Sequence, residues 1–94
     1  MKITDEEIEQ VRLYAYDLMT WRDIAYLLGK ERHEFHAAFM NERNPVHIAY
    51  HKGRVERIHN LRVPVLKLAE MGAPQAELLA QKFIEEQEIG ETDE

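Results

Sequence analysis

Cysteine is missing from the chain, and with it go disulfide frameworks, thiol catalysis and cysteine-ligated zinc. Serine is missing too, and Thr4, Thr20 and Thr92 fall at expected helix caps or in the tail, which leaves no hydroxyl set up as a nucleophile. The four glycines are scattered, so there is no glycine-rich phosphate loop. Carboxylates crowd the two ends of the chain, and nothing positions a Glu–His pair for acid–base work. Neither an enzyme nor a cofactor is expected. No stretch approaches the roughly 18 apolar residues of a membrane span, and Met1–Glu7 has no basic region leading into an apolar one. The expectation is a protein without a membrane segment or export signal, cytoplasmic by default.

What is present is length enough for one compact domain, 94 residues, and charge that is unevenly spread. A core of this size is modest in a monomer, so self-association is expected from length alone. The net charge of −6 argues against a nucleic-acid partner only until the chain is divided. Residues 1–19 carry two basic and five acidic side chains, residues 20–67 nine and five, and residues 68–94 one and eight. All five histidines lie in that basic middle segment. A centre able to meet phosphates is thus set between acidic ends.

Hydrophobic periodicity reads as helix throughout. Thr4-Asp5-Glu6-Glu7 has the spacing of a capping box, and the first helix is expected from about Asp5 to Leu18, with Ile8, Val11, Ala15 and Leu18 as its apolar stripe. Thr20-Trp21-Arg22-Asp23 repeats the cap, and a short second helix closes at Gly29. A third, from about Glu31 to Asn41, buries Phe35, Ala38 and Phe39. Asn44-Pro45 restarts the chain with a cap and a first-turn proline. Pro64 predicts a kink or break around Leu61–Val63, before the apolar run resumes to Gly72. Ala73-Pro74 opens a last helix through about Gln87.

The fold class expected is all-α: a three-helix unit over residues 1–43 containing a helix-turn-helix, a helical oligomerisation region over 44–87 made of a long kinked helix and a C-terminal helix, and an acidic disordered tail over 88–94. The tail over 85–94 is a solubilising sequence, or else a docking strip or a competitor for the basic centre.

A helix-turn-helix needs a small residue where its helices approach, glycine at the turn, and apolar residues on one side only of its second helix. Ala25, Gly29, Phe35 and Ala38 meet those needs at offsets of 0, 4, 10 and 13. The outward side of the third helix then offers Arg32, His33, His36, Ala37 and Met40, with Lys30 in the turn. Arg32 can read guanine or grip phosphate, and the histidines can donate to bases or phosphates. Glu31 and Glu34 dilute this field, accept from cytosine, or repel non-specific DNA. Thr20, Arg22 and Arg43 are expected at phosphates, and Lys52 and Arg54 in a further phosphate strip on the fourth helix, which also reads as ordinary solvated surface. Trp21 reads as core or rim packing, with an indole contact to phosphate as the alternative. The pairs His33/His36 and His47/His51 have helical spacing for a metal but lack a supporting signature, and no metal site is assigned.

Beyond this unit, Ile48-Ala49-Tyr50-His51-Lys52-Gly53-Arg54, Asn60-Leu61-Arg62 and Leu66-Lys67-Leu68-Ala69-Glu70-Met71-Gly72-Ala73-Pro74-Gln75-Ala76 follow Thr20–Phe39. Over roughly residues 20–84 this succession resembles the small terminase subunits of tailed phages, with their Ala-Tyr-x-x-Gly-Arg segment after a helix-turn-helix. The resemblance implies a non-enzymatic, oligomer-forming subunit that recognises viral DNA for packaging and hands it to a large ATPase–nuclease subunit. It also implies DNA contact by Lys30, Arg32, His33 and His36, with the helices after Pro45 building the oligomer. Two other readings use the same residues: a dimeric helix-turn-helix transcriptional regulator, and a helical protein-interaction module without DNA binding.

Overall fold

The computed structural model describes residues 1–92. They form five helices and, among the described residues, no strand: α1 (Asp5–Tyr16), α2 (Trp21–Leu27), α3 (Arg32–Met40), α4 (Pro45–Glu70) and α5 (Pro74–Thr92). The all-helical class is as expected. The chain divides into two compact units, one over Met1–Ile58 and one from His59 onward.

Local chemistry places the helix starts. The Thr4 hydroxyl accepts from the Glu7 amide at 3.1 Å while the Glu7 carboxylate accepts from the Thr4 amide at 3.0 Å, a complete capping box. Thr20 caps α2 through the Asp23 amide, and Asn44 accepts from the Val46 amide at 2.9 Å where α4 begins.

Helix ends depart more from expectation. α1 stops at Tyr16 because Leu18 turns to φ 63°, its amide donating to Ala15 and that of Met19 to Tyr14. This is the same closing pattern that Gly29, at φ 66°, gives α2. Leu18 therefore leaves the apolar stripe and lies 54% exposed, and Met19 packs against the core instead. Of the kink or break expected around Leu61–Val63, the break does not occur: α4 runs as continuous helix through Pro64, which lies at an exposed position. The last helix passes Gln87 and continues to Thr92, so residues 88–92 of the expected tail are helical; residues 93–94 lie outside the described residues.

The core of the first unit takes its largest fully buried side chains one from each of four helices: Val11, Ile24, Phe35 and Val46. Each such side chain contributes about 1.5–3 kcal/mol relative to exposure. Ala15, Ala25, Ala38 and Ala49 fill the spaces between them. Because Val46, Ala49 and Gly53 supply one wall, the unit extends to Ile58, past the expected boundary between residues 43 and 44.

Gly53 sits where α4 passes closest to α1. A Cβ there would overlap the Arg12 carbonyl oxygen, and would lie 2.9 Å from the Arg12 carbonyl carbon and 3.1 Å from the Tyr16 amide nitrogen. Both neighbours are backbone and cannot swing aside. Beside this contact the Arg12 guanidinium bridges Glu9 on its own helix and Glu56 on α4, at 3.1 Å from Glu56.

In the second unit, Gly72 at φ 86° closes α4, and α5 folds back so that the Arg62 guanidinium covers the Phe83 ring at 4.5 Å and bonds Glu86 at 2.7 Å. Ala76 is the one buried hydrophobic among its described residues.

Denaturant melts test both backbone constraints. Gly53→Ala is expected to cost about 2–3 kcal/mol. Leu18→Gly should gain about 0.5–1 kcal/mol, since it relieves the left-handed leucine at the cost of some unfolded-state entropy.

Candidate nucleic-acid interface

The two short helices α2 and α3 are joined by residues 28–31, and the sequence of α3 divides it into two sides. Phe35 and Ala38 are buried and Phe39 partly so, while His33, His36, Ala37 and Met40 are exposed on the opposite arc. Arg32 stands at one edge of that arc and Glu34 at the other. Glu31 precedes the helix as its N-cap, its carboxylate accepting from the Glu34 amide at 2.8 Å. The hydrogen bonds from the Glu34 and then the His33 amides hold the Glu31 carboxyl below its ordinary range. Glu31 therefore serves as a cap and is not turned toward a cytosine.

The structure distributes the nine expected contact residues unevenly. Arg32, Arg43 and Arg54 are exposed and take part in no ion pair among the described residues. Arg22 is exposed with its guanidinium 5.5 Å from the centre of the Trp21 ring. His33 is exposed. Lys30 is withdrawn: its ammonium lies 2.9 Å from the Glu7 carboxylate and donates to the Lys2 carbonyl at 2.9 Å. The bond that the Lys30 ammonium donates to the Glu7 carboxylate is the main cause of the lowered Glu7 pKa. The Thr20 hydroxyl is occupied by the Asp23 amide. One face of the His36 ring is covered by Trp21, with ring centres 4.4 Å apart. Trp21 is half-buried, which is the rim packing expected of it.

Lys52 and Arg54 do not form one strip. Two positions apart on a helix, they point to opposite flanks. Lys52 lies along the groove lined by Ile8, Glu9 and Arg12 of α1, whereas Arg54 shares its flank with His51, on the side where α4 meets Phe39. The expected contact residues that stay exposed without a carboxylate partner among the described residues are Arg22, Arg32, His33, Arg43 and Arg54, spread over α2, α3, the turn after it and α4.

His47 and His51 proved more important to the architecture than their sequence positions suggested. Their rings are 4.2 Å apart, the His51 ring stacks on Phe39 at 6.1 Å, and Phe39 meets Tyr50 edge-on at 4.7 Å. The His47 Nδ1 lies 2.9 Å from the Phe39 carbonyl oxygen and donates to it, which ties α4 to the last turn of α3. An aromatic and imidazole layer running from Trp21 through His36 and Phe39 to His51 thus fixes α3 against both neighbours. The only sequence signal for it was the recurrence of rings at helical spacing.

Burial lowers the His51 pKa, and His47 and Arg54 lower it further. Its folded value lies below the ordinary imidazole value of about 6.5, so the fold favours neutral His51. That stability is present above the unfolded value and is lost as pH falls through the folded one. Thermal melts are therefore expected to show a falling Tm between about pH 7.5 and 5.5, with a flatter slope for His51→Gln. Parallel slopes would place the titration elsewhere.

Comparisons of the chain with protein-family models, with curated proteins and with solved structures gave no match.

Proposed function

We propose that this chain is a non-enzymatic, self-associating protein that binds duplex DNA by inserting α3 into the major groove, with α2 and α3 acting as a helix-turn-helix. The observation that carries the reading is a set of exposed guanidinium groups on α3 and the segments beside it: Arg32 on α3, Arg43 in the turn after it and Arg54 on α4 have no carboxylate partner among the described residues, and Arg22 is exposed at the start of α2. Two other cations of the basic middle segment are committed, Lys30 to Glu7 and Arg62 to Glu86. Guanidinium groups held near a helix face, without internal partners, suit phosphate and guanine recognition.

Self-association is supported by the second unit. Leu61, Leu66, Leu68, Leu78, Leu79 and Ile84 are 41–65% exposed there, while among its described residues Ala76 alone is buried. A helical pair this short buries too little to hold its fold alone, and a second copy of the same apolar surface supplies what is missing. One α3 in a groove gives a weak contact, and linked copies multiply it through effective concentration. The resemblance to small terminase subunits places such an oligomer at viral DNA packaging, passing DNA to a large ATPase–nuclease partner.

Gel-shift titrations across a salt series, with sedimentation of the same samples, test the reading. Wild type should bind duplex DNA as an oligomer, with affinity falling steeply as salt rises. Arg32→Ala should weaken binding by about 1–3 kcal/mol if it reads a base, or reduce the logarithmic salt slope by about one if it grips phosphate. A monomer that ignores DNA at low salt would instead fit a protein-interaction module. A two-fold dimer on paired half-sites one helical turn apart would fit a transcriptional regulator.

A further inference from the structure

The centre of the α3 face is not where the charge lies. Taking Phe35 and Ala38 as the buried side, the helical period puts His33, His36, Ala37 and Met40 on the opposite arc, and all four are exposed. Arg32 and Glu34 fall at its two edges. At the middle and the C-terminal end of the arc stand two apolar groups, the Ala37 methyl and the Met40 side chain, 63% exposed. Neither is buried in the core cluster, and Ala37 also borders a groove that it shares with Met1 and Ile3.

Base edges in the major groove offer hydrogen-bond donors and acceptors at every pair, and one apolar group among the four standard bases, the C5 methyl of thymine. A methyl and a thioether satisfy neither the cytosine amine nor the purine acceptors, and against those edges they would leave polar groups dry and unpaired. Against a thymine methyl they exclude water at no such cost. The small Ala37 also lets the helix approach closely, and Trp21, packed on His36, holds the adjoining side chain in place.

We infer that α3 reads thymine, with the C5 methyl of one or two thymines seated against Ala37 and Met40. This rests on the proposal that α3 is the DNA-contacting helix, and adds to it the chemical group that is recognised. Arg22, Arg32 and Arg43, around the face, supply the sequence-independent grip on phosphate or a flanking guanine.

The experiment is selection from a random duplex library with the full chain at moderate salt, followed by replacement of each thymine in the selected site with deoxyuridine. That change removes only the methyl group. Affinity should drop about four-fold at one or two positions and stay level at the others. Met40→Gln, whose exposed position keeps the fold intact by circular dichroism, should lose part of that sensitivity while its low-salt affinity for unselected DNA changes less than about two-fold. Equal binding of thymine and deoxyuridine probes, or a library returning no thymine-containing site, overturns the readout and leaves DNA binding standing. Failure to retain any duplex at low salt overturns both.

Discussion

The first unit depends on how closely α4 can approach α1, and Gly53 sets that distance. With only hydrogens on its Cα, the α4 backbone lies against the Arg12 carbonyl and the Tyr16 amide. This approach brings Val46 and Ala49 into the same core as Val11, Ile24 and Phe35. It also lets Arg12 reach Glu56 across the junction. Once α4 is placed, its other flank carries Tyr50, His47 and His51 to Phe39, and the final turn of α3 is held there by rings and a carbonyl bond. The orientation of the exposed α3 face therefore follows from a glycine on another helix.

Within that frame, the role of each cation is decided by whether a carboxylate can reach it. Lys30 and Arg32 are two residues apart, yet Lys30 is spent on Glu7 and Arg32 remains unpaired among the described residues. Acidic residues of the N-terminal segment thus neutralise part of the basic middle segment and leave a smaller set of guanidinium groups. Partly exposed pairs of this kind add modest stability. Their larger effect is on which cations remain available to an anionic partner.

The second unit has the opposite character. Its exposed leucines and, among the described residues, its single buried alanine give it amphipathic helices with too little to pack against, and Arg62 bonds Glu86 over the Phe83 ring. Most of the buried core lies before His59, and most of the exposed leucines after it.

By itself the sequence determined the helical class, the caps and most of the core. Thr4, Thr20 and Asn44 act on amides two or three residues away, and the 3.6-residue period places Val11, Ala15, Phe35 and Ala38 in the core, though it also put the exposed Leu18 there. These are short-range relations, and a linear pattern records them. The left-handed turn at Leu18 escaped that pattern because a leucine took a conformation that glycine ordinarily signals. Only the tertiary structure decided that Gly53 is a packing residue, that Lys30 is taken by Glu7, that Trp21 covers His36, and that Lys52 and Arg54 face different ways. Each of these depends on groups far apart in the chain, or on the rotation of one helix against another, and periodicity carries no information about which distant atom lies across the gap.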